Sequence, residues 1–252
     1  MAIPVPVAYL QMKTGYVIMK KSPEVLKMTK LYLANTEPLA DPDLFERFYR
    51  TVPCHRKEKI DTIKFPKGKR QCLGAWILLA YALKEAGIHQ RDICLIYGPN
   101  GKPYLADFPD VHFNLSHSGR YVFCAVSDEE VGCDVQKIAA ADLRVTHRFF
   151  APEECEKIAT APEAVKNELF FRYWTLKESF IKNIGRGLSL PLQSFCIRLD
   201  GDRPSVSQSV LPEEHFYFRE FDLRDGYRYA CCARKPEIED IQLIQIADCV
   251  YA

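Results

Sequence analysis

From Met28 onward the chain alternates apolar and polar positions in short blocks whose periods sort it into strands and helices. The segment TKLYLANTEPL alternates with the two-residue period of a strand, so a first strand is expected just after Met28. In QCLGAWILLAYALKEAG the residues Leu73, Trp76, Ile77, Ala80 and Leu83 recur every three or four positions, which predicts a helix that Gly87 ends. After an Asn100-Gly101-Lys102-Pro103 turn, HFNLSHSGRYVFCAVSDEEVGCDVQKI reads as a loop, a strand over 121–127, a turn at 128–130 and a second strand over about 131–136. Residues 142–184 are helical in stretches broken by Pro152 and Pro162. The last of these carries Val165, Leu169, Tyr173, Leu176, Phe180 and Ile184 at helical spacing. The remainder is strand-like, with Asp225-Gly226 as a hairpin turn between HFYFREFDL and YRYACCAR.

This pattern divides the chain into an N-terminal subdomain over 28–129 and a C-terminal subdomain over 130–252, with a helix and a hairpin in each. Residues 1–27 resemble nothing downstream and read as an N-terminal extension, disordered or arising from an early start codon. Their opening, MAIPVPVAYLQMK, lacks a basic start and contains prolines, so no secretory leader is expected. No apolar run approaches the ~18 residues of a membrane span. A soluble cytoplasmic protein is the expectation.

Composition narrows the function. With 252 residues, 48% of them hydrophobic, the chain can build one large core or two modest ones. Lys and Arg number 34 against 33 Asp and Glu, a net charge of +1, which argues against nucleic acid or a membrane as the main partner. The positive charge gathers in HRKEKIDTIKFPKGKR, directly before the first long helix, where free N–H groups already favour anions. Within it Lys64, Lys67 and Lys69 read as a solvated basic face. None of the ten cysteines is in the C-x-x-C spacing of a zinc site. Cys72, Cys94, Cys124, Cys133 and Cys196 sit in apolar stretches and read as buried, reduced thiols. Cys231 and Cys232, adjacent in a strand, are expected on opposite faces.

Two short motifs carry chemistry. In Gly132-Cys133-Asp134-Val135-Gln136, strand alternation puts Gly132, Asp134 and Gln136 on one face, a carboxylate and an amide oxygen beside the room a glycine leaves. In WTLKESFIK (174–182), Trp174, Glu178 and Lys182 share a helix stripe. Each has a plainer reading: an aspartate closing a hairpin, or an exposed Glu–Lys pair worth a few tenths of a kcal/mol.

Taken together with F-N-L-S-H-S-G (113–119), the motifs V-G-C-D (131–134) and W-T-L-K-E-S-F-I-K (174–182) resemble the 4′-phosphopantetheinyl transferase superfamily. Their order and separation are similar to its larger, surfactin-synthetase-activating branch. The resemblance runs from about Met28 to the last strands and includes G-K-P (101–103), R-F-F (148–150) and G-R-G-L-S-L-P-L (185–192). It implies an α+β fold, a pseudo-two-fold pair of similar subdomains, each a helix packed on a small antiparallel sheet, active as a monomer. It also implies transfer of phosphopantetheine from coenzyme A to a serine of an apo acyl or peptidyl carrier protein, with Mg²⁺ and release of 3′,5′-ADP.

Residue by residue, the resemblance assigns Asp134 and Glu178 to Mg²⁺. Gln136 stands where the branch often has a second acid, and takes part by its amide oxygen or through water. Glu178 doubles as the base for the serine hydroxyl. Lys182 contacts coenzyme A phosphate, as do Ser116 and His117. Arg56, Lys59 and Arg70 are expected at the 3′-phosphate and Lys102 near the adenine or its phosphates. Lys177 is left between a phosphate contact and a structural ion pair. Two rivals remain at this stage: a coenzyme A binder that has lost catalysis, favoured only by Gln136, and a nucleic-acid binder using residues 56–70.

Overall fold

The computed structural model describes residues 26–251. In its first half, strand β1 (Thr29–Asn35) leads into helices α1 (Pro42–Thr51), α2 (Cys54–Thr62) and α3 (Pro66–Glu85). A short hairpin of β2 (Leu95–Tyr97) and β3 (Pro103–Leu105) follows, then the antiparallel pair β4 (His112–Ser118) and β5 (Tyr121–Ser127). The second half holds β6 (Val131–Lys137), α4 (Thr146–Phe149), α5 (Pro152–Thr160), α6 (Glu163–Asn183), β7 (Cys196–Arg198), β8 (Ser205–Ser207), β9 (Tyr217–Phe221), β10 (Tyr227–Ala233) and β11 (Ile238–Ile244). No described helix is long and apolar enough to cross a membrane.

The long helices follow from local signals. Pro66 sits in the first turn of α3, where a missing N–H costs nothing. Gly87, at φ +81°, closes α3 with a paired cap: its N–H reaches Lys84 O at 2.8 Å and the Ile88 N–H reaches Leu83 O at 2.8 Å. Gly185, at φ +65°, ends α6, with the Arg186 N–H returning to Ile181 O.

The layers stack as helix, sheet, sheet, helix. The four-stranded sheet, in the order β11-β1-β5-β4, turns Tyr32, Ala34, Val122, Cys124 and Val126 toward α3 and its Leu73, Trp76, Ile77 and Leu83. Its other face, with Leu31, Leu33, Phe123 and Ala125, meets Val131, Cys133, Val135 and Tyr229 of the β6-β10-β9 sheet. Beyond that sheet, Phe218, Ala230 and Cys232 pack on Tyr173, Leu176 and Phe180 of α6. Cys231 and Cys232 thus serve different cores, as strand alternation requires. Each fully buried large apolar side chain of this kind stabilises the fold by roughly 1.5–3 kcal/mol.

Three expectations change. β4 is a strand where a loop was expected over 112–118. The first sheet is not purely antiparallel, because β11 returns from the second half and pairs parallel with β1, Leu31 beside Ile241 and Leu33 beside Leu243. The block 130–252 therefore contributes an edge strand to the first sheet as well as building its own. Cys94 is exposed and Cys196 half-buried, not enclosed. The expected extension over 1–27 lies, up to residue 25, outside the described residues, whereas Leu26 is buried in the first core.

Candidate active site

The site forms where β4, β6 and α6 converge. Gly132 allows the contact: a Cβ there would lie 2.0 Å from Ser179 O and 2.4 Å from the Asn183 backbone nitrogen. The room beside this glycine is therefore filled by α6 rather than left open. That approach brings Asp134 of β6 to Lys182 of α6, 2.6 Å apart.

Strand β4 joins β6 through side chains. Asn114 Oδ1 accepts from the Cys133 N–H at 3.0 Å, Ser116 Oγ from Val135 at 3.3 Å, and Ser118 Oγ from Lys137 at 3.1 Å. Polar residues at two-residue spacing thus satisfy alternate N–H groups of the neighbouring sheet. Two hydroxyls also act forward. Ser116 Oγ donates to Asp134 Oδ1 at 2.6 Å and Ser118 Oγ donates to the Gln136 amide oxygen at 3.0 Å.

Asp134 is 2% exposed, and its two oxygens differ. Oδ1 accepts from both Ser116 and Lys182, whereas Oδ2 is buried with no hydrogen-bond partner among the described residues. Glu178, one helical turn before Lys182, is half-buried and accepts no hydrogen bond among the described residues. Burial first, and then the negative charge of Asp134, raises its pKa, while Lys182 pulls the other way. An unpaired buried carboxylate oxygen beside a second carboxyl is costly unless a cation joins them, and hard oxygen donors suit Mg²⁺. The donor set fits such an ion. Among the described residues no three His, Cys, Asp or Glu side chains cluster to hold a metal. Two carboxyls do not complete the shell of a divalent ion, so any ion held here would need further oxygen donors.

Lys182 gives its ammonium protons to Asp134 Oδ1, Ser116 Oγ and Cys133 O, the last two at 3.2 Å. Burial acts against its charge, but Asp134 outweighs it and the pKa is raised. The ammonium is thus committed to Asp134 in this state. Lys177 settles as an ion pair: fully buried, it meets Glu154 at 2.8 Å and donates to Leu192 O and Phe195 O, tying the segment after α6 to that helix. Trp174, on the same stripe as Glu178, packs edge-on against Phe149 at 5.3 Å.

A neighbouring cavity of about 340 Å³ is lined by Arg56 and Lys59 of α2, Gln71 of α3, Tyr97 and Pro103 of the β2–β3 hairpin, and His117 of β4. Strand alternation explains the division of labour on β4: Ser116 faces Asp134 while His117 faces this cavity. Arg56 stacks over Trp76 at 4.8 Å, and its Nε is buried without a hydrogen-bond partner among the described residues. His117 is exposed yet crowded. Desolvation and then the charge of Lys182 push its pKa below the ordinary imidazole value, with Asp134 opposing.

Two expected ligands are placed elsewhere. Lys102 is 8% exposed and its ammonium binds the Glu130 carboxylate, Val131 O at 3.1 Å and Asn183 O at 2.7 Å. It seals the C-terminus of α6 to the β5–β6 turn, and all its protons are used. Arg70 projects into a different cavity, separated from Arg56 by the hydrogen bond from Gln71 Nε2 to Gly119 O at 3.0 Å. Sequence reasoning missed Asn114, Ser118 and Glu130. The alternation N-x-S-x-S was the signal for the first two.

A helix-flanked double sheet thus brings the carboxyls of Asp134 and Glu178 to its seam. The sequence profile of the 4′-phosphopantetheinyl transferase superfamily matches residues 130–232, and that of the 4′-phosphopantetheinyl transferase N-terminal region matches residues 39–129, so the chain belongs to this family of enzymes. Among its relatives is the 4′-phosphopantetheinyl transferase Sfp of Bacillus subtilis (strain 168), 34% identical over 203 residues, covering 79% of this chain and 90% of that one. The 4′-phosphopantetheinyl transferase ffp of Bacillus subtilis is 33% identical over 224 residues, covering 87% and 97%. The 4′-phosphopantetheinyl transferase psf-1 of Bacillus pumilus is 31% identical over 211 residues, covering 82% and 91%.

Proposed function

We propose that this chain moves phosphopantetheine from coenzyme A to a serine of an apo acyl or peptidyl carrier protein, using Mg²⁺ and releasing 3′,5′-ADP. The observation that carries the reading is Asp134, buried with one oxygen saturated and the other unpartnered, next to the unbonded carboxyl of Glu178. These two acids would hold Mg²⁺, with Gln136 offering its amide oxygen or leaving its place to water. When bound, the ion supplies positive charge against that gathering on the departing 3′,5′-ADP.

The chain's own groups do the rest. Arg56, Lys59 and His117 line the cavity suited to the nucleotide phosphates, and the uncommitted Nε of Arg56 is a ready donor. Glu178 takes the proton of the serine hydroxyl as its oxygen bonds to the phosphorus that bears pantetheine. The bond from that phosphorus to the ADP oxygen breaks, and the electron pair leaves with ADP. Lys182 remains protonated and keeps Asp134 in place. Because β4, β6 and α6 of one chain supply the site, the proposed working unit is the monomer, and ten free thiols suit the reducing cytoplasm.

The test is intact-mass spectrometry of an apo carrier incubated with the protein, coenzyme A and Mg²⁺, beside a Glu178→Gln control. A mass gain equal to one phosphopantetheinyl group, absent in the control, supports the proposal. Coenzyme A binding with no gain on several acyl and peptidyl carriers overturns it.

A further inference from the structure

Helix α3 turns one stripe of residues, Gly68, Gln71, Cys72, Ala75 and Leu79, into the cavity of about 340 Å³ that Arg56, Lys59 and His117 also line. Steps of three and four keep these five on one helix face, and Cys72 stands in the middle of it. Its setting differs from that of the other cysteines. Cys124, Cys133, Cys231 and Cys232 are 0% exposed, and burial pushes their thiols up. Cys54 and Cys94 are exposed but lie outside this cavity. Cys72 keeps 9% of its surface and borders the open space.

The cavity is positive. Arg56, Lys59 and His117 line it, and among the described residues no carboxylate does. Arg56 is itself 9% exposed, and its Nε has no hydrogen-bond partner among the described residues, so a buried donor is available to an anion in the cavity. Fixed positive charge of this kind raises the local concentration of anionic reagents, and a thiol beside it with access from outside is the reactive kind. A volume of about 340 Å³ holds a molecule the size of a short peptide.

We propose that Cys72 is a reversible modification site for a small disulfide that carries carboxylates, and that the adduct closes this cavity to nucleotide. Arg56 and Lys59 draw in the carboxylates while the sulfur of Cys72 meets the reagent. The Cys72 thiol gives up its proton, its sulfur bonds to the near sulfur of the disulfide, and the original S–S bond breaks. The far half leaves as a thiolate and takes up the proton. The disulfide is the sole oxidant, and an excess of free thiol runs the exchange backward. The closing of the cavity to nucleotide rests on the transferase reading, whereas the modification itself stands on the geometry of the cavity.

The test treats the full chain with oxidised glutathione and, in parallel, with uncharged hydroxyethyl disulfide. Peptide mass spectrometry reads the rate at each cysteine, and calorimetry reads affinity for 3′,5′-ADP, a nucleotide without a thiol. With oxidised glutathione, the Cys72 rate relative to that of exposed Cys94 should be about tenfold or more above its value with the neutral reagent, and should fall as salt rises. Bound 3′,5′-ADP should slow the reaction at Cys72, the adduct should abolish nucleotide binding, and free thiol should restore it. Cys72→Ala should keep its nucleotide affinity through the same treatment. A Cys72 left untouched once Cys54 and Cys94 are fully modified overturns the proposal. So does an equal relative rate with the two reagents, or modification only in step with enclosed Cys124 and Cys133, because the chain then unfolds first. Loss of nucleotide affinity in treated Cys72→Ala assigns the closing to another thiol and overturns that half. A chain that binds no 3′,5′-ADP before treatment, or that modifies no carrier, counts against the transferase reading alone, since the rates at Cys72 still decide the modification.

Discussion

Lys182 and Asp134 form a 2.6 Å ion pair across the seam between α6 and β6, and the pair uses only one oxygen of the carboxylate. The lysine thereby offsets part of the repulsion between Asp134 and Glu178 without filling the place where a cation would join them. Lys182→Met removes that balance and leaves Asp134 buried and unpaired. Expected is a loss of about 3–5 kcal/mol of stability in urea unfolding. Adding Asp134→Asn to the same protein should recover part of it, and a double variant as unstable as the single one would show that the pair carries no such weight.

The pKa of Glu178 is raised above 4.5. In the metal-free protein its ionised form is lost as pH falls through that raised value, so protons should compete with Mg²⁺ there, and the acid limb of kcat/KM should move to lower pH as Mg²⁺ is raised. Glu178→Gln should abolish this limb and lower the rate by about 10²–10⁴-fold. A profile whose acid limb is unchanged in the variant would assign the base elsewhere.

Gly132→Ala should be among the most damaging small substitutions in the chain, because the added methyl collides with the backbone of α6 rather than with a movable side chain. We expect a cost of about 1–3 kcal/mol in thermal or chemical unfolding. Transfer should fall further than stability explains, since the same shift separates Asp134 from Glu178 and Lys182. A variant with wild-type stability and turnover would contradict the packing described.

Lys102 should behave as a structural residue. Lys102→Met strands Glu130 and frees Asn183 O, and is expected to cost about 2–4 kcal/mol while leaving coenzyme A affinity intact. Burial acts to raise the Glu130 pKa, but the His112 imidazole 3.7 Å away and the Lys102 ammonium outweigh it and bring the pKa down to about 2. A carboxyl depressed by folding contributes stability that is complete above its unfolded value and lost as pH falls toward the folded one. Wild-type stability should therefore drop as pH falls from about 4.5 to about 2, and Glu130→Gln should flatten that slope.

Helices α3 and α6 and the strands β5 and β6 were legible because their signals are local: apolar spacing, a stop glycine, a turn, although the turn joins two sheets and not one hairpin. So was the meeting of Asp134 with Glu178 and Lys182, once strand and helix periods were combined with the family resemblance. β4 was not, because Asn114, Ser116 and Ser118 look like loop residues until their partners, the N–H groups of β6, are in view. The positions of the Lys102 and Arg70 side chains were not legible for a related reason. A long cation reaches whatever lies within several ångströms of its backbone, and for Lys102 that is the end of a helix some eighty residues away. For Arg70 the helix rotation decides: Gln71 lines the cavity of Arg56, while Arg70, one position earlier, lines the next.

The return of β11 to the first sheet sets an order on how the molecule is made. A nascent chain can present β1, β4 and β5 long before residues 238–244 leave the ribosome, and until then one flank of β1 has no neighbour to hydrogen-bond. Such an uncovered flank is a place where another unfinished strand can attach. The tail thus acts as a clasp fastened last. A protein stopped at Ala233 would retain Asp134, Glu178 and Lys182 yet leave β1 open, so its first failure should be clumping during synthesis rather than weakened chemistry.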